Sequence, residues 1–261
     1  KAAIKRMFVM KQPKNILITG ASSGIGEALA EAYAAEGVTL AISGRNQERL
    51  LKVEEKLRAK GARVIAECAD VADKETMADW IARVDAAAPL DLVIANAGIG
   101  VGRESGMSVA EIAEATFAVN VSGVFHTIHP ALEVMKKRGR GQIAIMASVA
   151  GLIGLPGFPA YSASKNAVRA YGEALRGAYR KHGIEVNVIC PGFVVSRMTD
   201  GNPFPMPFLV KTDKAAKRII KGLRRNEARI GFPRRLYGLV RMLQFLPSGL
   251  VTWMASSGPR K

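Results

Sequence analysis

Cysteine is nearly absent: Cys68 and Cys190 are the only two in 261 residues, and each ends or follows an apolar run that reads as a buried strand. A disulfide framework therefore has no support, and a reducing compartment is expected. Histidine is almost as scarce. His126, His129 and His182 are not set among Cys, Asp or Glu at metal-ligand spacing, so no metal site is expected. No uninterrupted apolar run reaches the roughly 18 residues that a spanning helix needs, and the apolar segment within residues 1–10 is too short for a secretory signal. A cytoplasmic location follows as the expectation. Met7 and Met10 both precede the first strand, so residues 1–9 are expected to be in part an expression or start-site artefact.

Acidic residues are missing from the two ends. The net charge is +16, and residues 1–15 hold five Lys/Arg and no acid, while residues 197–261 hold 14 basic residues against three acidic ones. Between them, residues 16–196 balance at 19 of each sign. The middle reads as an ordinary enzyme body, and the ends as surfaces suited to something anionic. No recognisable RNA- or DNA-binding module accompanies this charge, so nucleic acid is not an expected partner.

What is present is alternation. Apolar runs that read as strands, Asn15–Thr19, Thr39–Ser43, Arg63–Glu67, Leu92–Ala95, Gln142–Met146 and Glu185–Cys190, alternate with segments of three-to-four periodicity. The periodic segments are Gly26–Glu36, Gln47–Lys60, Lys74–Ala87, Ser108–Lys137 and Tyr161–His182, with a basic helical pattern at Thr212–Arg225. This is the pattern of βαβ units, and it predicts an α/β fold: a Rossmann-like, doubly wound parallel sheet in a single domain. A basic leader at 1–14 precedes that domain, which runs over 15–261. Within it, residues 231–261 are expected to form a basic amphipathic extension.

Thr19-Gly-Ala-Ser-Ser-Gly-Ile-Gly26 lies directly after the first strand and opens a helix. Gly20 permits a tight turn, and Gly24 and Gly26 let backbone approach a pyrophosphate at the helix N-terminus. Further on, Tyr161 and Lys165 stand one helical turn apart. Moving a hydride onto a carbonyl builds charge on its oxygen, so a proton donor must stand beside it. Tyrosine ordinarily titrates near about 10, and a lysine at i+4 places a cation that favours the phenolate.

The glycine spacing, followed in order by Asp70-Val71, Asn96-Ala97-Gly98, Asn120, Ser148, Tyr161-Ser-Ala-Ser-Lys165 and Pro191-Gly192, resembles the short-chain dehydrogenase/reductase family over roughly Asn15 to Ser196. The resemblance implies a catalytic set of Asn120, Ser148, Tyr161 and Lys165. Ser148 would hydrogen-bond the substrate oxygen, and Asn120 would tie a water and Lys165 into a proton path. It also implies a cofactor site at Gly20, Ser22, Ser23, Gly24, Ile25 and Gly26, continued by Asp70, Val71, Asn96, Ala97 and Gly98. Tyr161, Lys165, Pro191, Gly192, Val194 and Ser196 would complete it. The family usually has threonine where Ser196 stands; serine keeps the hydroxyl.

Cofactor choice turns on the end of the second strand, Ser43-Gly-Arg-Asn46, where no acid occurs to bind a ribose 2′-hydroxyl or repel a 2′-phosphate. Arg45 offers a forked donor to phosphate and Asn46 can assist, so NADP(H) is expected ahead of NAD(H). The resemblance implies a substrate lid over residues 193–230, and its Phe204, Met206, Phe208 and Leu209, facing Leu152, Ile153, Leu155 and Phe158, predict an apolar pocket for a lipophilic carbonyl or alcohol. Simple packing of these aliphatics is the competing reading. The segment Arg234–Met254 mixes arginines with large apolar residues, which suits an anionic membrane surface. Packing of Leu236–Trp253 on the body, or a dimer contact, stands against this. The resemblance also implies a homodimer or homotetramer through the Ser108–Lys137 and Tyr161–His182 regions. Two rival functions remain: a ketoreductase acting on acyl thioesters, and a non-catalytic NADP-binding sensor, against which the retention of all four catalytic residue types argues.

Overall fold

The computed structural model describes residues 12–101, 106–200 and 205–256. Residues 1–11, with most of the basic leader, and Phe204 of the expected lid lie outside these. The elements run β1 (Asn15–Ile18), α1 (Gly24–Tyr33), β2 (Thr39–Gly44), α2 (Gln47–Ala59), β3 (Arg63–Cys68), α3 (Lys74–Ala87) and β4 (Leu92–Ala95). Next come α4 (Val109–Phe117), a π-helical turn at Ala118–Ser122, α5 (Gly123–Arg138), β5 (Gly141–Met146), α6 (Pro159–Tyr179) and β6 (Ile184–Pro191). α7 (Thr212–Arg224), β7 (Arg229–Phe232), α8 (Arg234–Leu243) and α9 (Ser248–Ser256) complete the described chain.

The seven strands form one parallel sheet in the order β3-β2-β1-β4-β5-β6-β7. Strands covered on both faces read as continuous apolar runs, and alternate residues divide between two cores. Ile16 and Ile18 face the layer that contains Leu29 of α1, Val53 of α2 and Ile219 of α7. Leu17 faces the opposite layer, with Trp80 of α3, Ile128 of α5 and Val168 of α6. The fold is thus a single doubly wound α/β domain.

Two expectations are corrected. The periodic segment at Ser108–Lys137 is not one helix: α4 and α5 are joined by the π-helical turn around Asn120, where Gly123 N–H reaches back to the Ala118 carbonyl. Apolar periodicity cannot register a single inserted residue that shifts the hydrogen-bond ladder without breaking the helix. A seventh strand, Arg229–Phe232, extends the sheet beside β6. Its four residues are too short, and too close to Pro233, to announce themselves by period. The C-terminal segment also divides into two helices around Pro247, which cannot donate within a helix.

α8 is locked to the sheet by a close approach. A Cβ at Gly231 would lie 2.4 Å from the Tyr237 ring, and the Tyr237 hydroxyl accepts a hydrogen bond from Arg229 at 3.3 Å. Gly231→Ala is expected to lift Tyr237 and release α8, destabilising the protein by about 1–3 kcal/mol. A lower Tm with faster proteolysis confined to the chain beyond residue 232 would show this; an unchanged Tm would contradict it.

Candidate active site

In an open parallel sheet the loops that leave the carboxyl ends diverge where the strand order reverses, here between β1 and β4, and leave a crevice. A cleft of about 950 Å³ lies there, bounded by the glycine-rich loop, the turn after β2 and the segments that follow β4, β5 and β6.

The loop after β1 turns at Gly20 and Gly24, with φ of +66° and +62°. A Cβ at Gly20 would lie 2.7 Å from Ala97 Cα, so glycine is required on both conformational and steric grounds. Gly26 does not line the cleft. A Cβ there would meet the Gly20 carbonyl at 2.4 Å and Asn96 Nδ2 at 2.5 Å, so it allows α1 to pack closely behind the loop. Asn96 fastens the loop by donating to the carbonyls of Thr19 and Gly20, at 2.9 and 3.1 Å. The cleft therefore offers backbone amides at a helix N-terminus, which suits an anion.

At the adenosine end expected from this topology, Arg45 pairs with Asp70 at 3.6 Å. Asn46 caps α2 by accepting from Arg49 N–H at 2.9 Å. Sequence reasoning missed Arg49: it lies in the first turn of α2, lines the same cleft, and its buried Nε has no partner among the described residues. The cap at Asn46 fixes the first turn of α2 and so sets Arg49 at the cleft, a placement that its position in the sequence does not announce.

At the opposite end Ser148, Tyr161 and Lys165 meet. Ser148 follows β5; its hydroxyl accepts from Ala150 N–H at 3.1 Å and donates to the Pro191 carbonyl at 3.4 Å. Tyr161 and Lys165 share one face of α6. The Lys165 ammonium lies 5.8 Å from the Tyr161 ring centre and donates to the Met146 carbonyl at 3.0 Å. Burial raises the Tyr161 phenol above its ordinary range, opposed by its hydrogen bond with Ser148. Burial also holds Lys165 down at about 8. The lowering of the tyrosine expected from Lys165 is not found in this state, where burial dominates and Ser148 is what opposes it.

Asn120 is fully buried behind the cleft wall. Its Oδ1 accepts from Ile99 N–H at 2.8 Å, and its Nδ2 donates to the Ile99 carbonyl at 2.9 Å and to Ser164 Oγ at 3.1 Å. The side chain therefore pins the loop after β4 to α6. The other expected cofactor residues, Ser22, Ser23, Ile25, Val71, Gly98, Pro191, Gly192, Val194 and Ser196, all border the cleft.

The apolar wall differs from expectation on the lid side. Ile153, Leu155 and Phe158 line the cleft and Leu152 is buried behind it. From the lid, Pro205 and Pro207 face inward, while Phe208 and Leu209 are exposed. Pro207 and Phe208 form a turn in which Phe208 takes a φ of 60°, and this carries Phe208 and Leu209 away from the cleft; Met206 does not border it either. Leu236 and Val240 of α8 complete the wall.

Comparison with known proteins agrees with this architecture. Residues 14–203 match the family model described as short chain dehydrogenase. An uncharacterized oxidoreductase of Myxococcus xanthus (strain DK1622) is 38% identical over 238 residues, covering 91% of this chain and 94% of its own. A short-chain dehydrogenase/reductase from Burkholderia phymatum in complex with NAD superposes with a TM-score of 0.80 at 26% identity, covering 90% of this chain and 94% of that one. A short-chain dehydrogenase from Sphingobium yanoikuyae in complex with NADPH gives 0.77 at 25% identity, with 93% and 95% covered. The chain belongs to the short-chain dehydrogenase/reductase family. It is an oxidoreductase acting between CH–OH and C=O groups, and its cofactor is a nicotinamide dinucleotide.

Proposed function

We propose that the protein is an NADPH-dependent reductase of a lipophilic carbonyl compound, or the dehydrogenase of the matching alcohol. The observation that carries this reading is a single cleft with two arginines at one end and a Ser–Tyr–Lys group beside apolar walls at the other. Arg45 and Arg49 would hold the 2′-phosphate, with Ser22 and Asn46 beside them; a carboxylate after β2 would have served a free ribose hydroxyl instead. Gly20, Ser23, Gly24 and Ile25 would hold the pyrophosphate on backbone amides, with Gly26 supporting them from behind. Asp70, Val71, Asn96, Ala97 and Gly98 would border the adenine and ribose. Pro191, Gly192, Val194 and Ser196 would border the nicotinamide, which supplies a hydride to the carbonyl carbon.

Tyr161 donates its proton to the carbonyl oxygen in reduction and takes it back in oxidation. Ser148 orients that oxygen by hydrogen bonding. Lys165 holds a cation beside the phenol, and the π-helical turn at Asn120, whose carbonyls leave regular helical pairing, offers a place for a water that resupplies the proton. Ile153, Leu155, Phe158 and Leu236 select a lipophilic substrate, with described residues 193–200 and 205–210 as its lid; α7 and the start of β7, which the expected lid of 193–230 also took in, belong to the core and the sheet. The same reading keeps subunit pairing through α5 and α6, where Phe125 stacks on His129 and His129 bonds the Tyr171 hydroxyl. It also keeps a peripheral association of the C-terminal segment with anionic membrane. Among the described residues no helix is long and apolar enough to cross a membrane.

NADPH oxidation at neutral pH against aldehydes, long-chain ketones and ketosteroids, run beside NADH, tests the proposal. Turnover with NADPH on the more lipophilic compounds supports it; turnover confined to NADH, or to small polar carbonyls, overturns it. A pH dependence follows from Lys165. Its pKa lies below the ordinary lysine value, so it carries its proton below about 8 and loses it as pH rises through about 8. Tyr161, raised by burial, stays protonated across that range. The kcat/KM for NADPH in reduction, which reports groups of the free enzyme, is expected to be level below about 8 and to fall about tenfold per unit above it. A profile level to pH 10 would refute the assignment.

A further inference from the structure

The outer side of α8 and α9 carries large apolar residues that the fold leaves in solvent. Leu239, Met242 and Phe245 are 56, 69 and 85% exposed, and Leu250 and Met254 of α9 are 43 and 44% exposed. Such contiguous exposure is unusual on a domain with a well-packed core. It does not arise from a loosely attached helix. The inner side of α8 is fixed by Tyr237 against Gly231, by Leu236 and Val240 in the cleft wall, and by Gln244, which donates to the Leu152 carbonyl at 2.8 Å.

Charge distinguishes what could cover this face. Arg234, Arg235 and Arg241 are exposed along α8, and no Asp or Glu occurs after Glu227. A second copy of the same face would set these arginines against their own counterparts with no acid to compensate. An anionic bilayer supplies both the apolar interior for Leu239, Met242 and Phe245 and phosphates for the arginines.

We propose that α8 and α9 dock on an anionic phospholipid surface and that the substrate enters the cleft directly from the lipid, between α8 and the lid. The proposal rests on the lipophilic-substrate reading and on the membrane association stated with it, and adds the docking face and the substrate's route. A helix with side chains is about 10–12 Å across, and interfacial helices sink about 5–10 Å. Burying the outer half of α8 therefore brings its inner half, Leu236 and Val240, to the level of the interface. Half-exposed Met198, which lines the cleft, and exposed Phe208 give the mouth an apolar rim on the lid side.

The test uses the full chain with vesicles of phosphatidylcholine, alone or mixed with phosphatidylglycerol. Three proteins are compared: wild type, a triple variant (Leu239→Ser, Met242→Ser, Phe245→Ser), and a charge variant (Arg235→Glu, Arg241→Glu). Wild type should float with the mixed vesicles, be released by salt near about 1 M, and bind the neutral vesicles at least about tenfold less. Both variants should stay unbound. The triple variant should reduce a short water-soluble ketone at the wild-type rate and lose at least about tenfold on a long-chain ketone embedded in vesicles. Wild type that fails to float with the mixed vesicles would overturn the proposal. So would a triple variant that keeps its rate on the embedded ketone, or a wild-type dimer abolished by the triple substitution without any vesicle binding. If no protein reduces either ketone, the enzymatic reading fails, while flotation still decides the docking.

Discussion

Tyr161→Phe is expected to lower the rate of carbonyl reduction by about 10²–10⁴-fold, the range that a positioned general acid supplies. The ring is retained, so its packing in α6 and the nearby Lys165 ammonium, 5.8 Å from its centre, are little disturbed. What is removed is the one hydroxyl that burial keeps protonated beside Ser148. Cofactor affinity should change by less than about threefold, since the interactions assigned to the cofactor lie mostly in the glycine-rich loop and the β2 turn. Stopped-assay rates measured beside NADPH binding by fluorescence separate the two effects. A variant within tenfold of wild type would show that another group, or water, delivers the proton.

The second large effect concerns cofactor choice. Replacing Arg45 and Arg49 together by alanine should raise KM for NADPH by about 10²-fold while leaving KM for NADH and both kcat values nearly unchanged. Each charge-assisted hydrogen bond to phosphate contributes about 1.5–3 kcal/mol when sheltered, and screening by solvent reduces that for Arg45, whose side chain is more than half exposed. Arg45→Ala alone should lose less than the pair, because its cation is shared with Asp70 at 3.6 Å. Arg49, with a buried Nε that has no partner among the described residues, is expected to be the stronger half. Steady-state kinetics with both nucleotides decide it: an unchanged ratio of preference in the double variant would mean that neither arginine meets the 2′-phosphate.

The frame of the molecule was legible because the inner strands, covered on both faces, are largely apolar; edge strand β3 is only part-buried, and Cys68 at its end, expected on a buried strand, is exposed. β4 was bounded to the residue and the other five predicted strands to within one or two. The glycine loop was equally plain, since Gly20 and Gly24 occupy backbone conformations that few other residues adopt. What escaped was set by tertiary context. β7 exists as a strand only because β6 offers it an edge, and the π-helical turn at Asn120 depends on hydrogen bonds to Ile99 and Ser164, which are distant in sequence. The inward placement of Pro205 and Pro207 depends on the turn at Pro207–Phe208, with Phe208 at positive φ, which composition does not specify. Arg49 was hidden because a basic residue in a helix's first turn is ordinarily a solvated one, and only the cap at Asn46 aims it at the cleft.

The strand order has a consequence for how the protein comes into being. No two neighbours in the sheet are joined by a hairpin, and Ile16 of β1 pairs with Leu92 of β4 across most of the first third of the chain. Every ladder must await a crossover connection, so the contact order is high and the search for native pairing is slow relative to helix formation. The cleft lies at that seam, between two sets of strands that can each acquire local helical structure before they meet. Catalytic competence is thus a late property of the folding chain, and a nascent chain that has not yet supplied β4 has a glycine loop but nothing against which to hold a nucleotide.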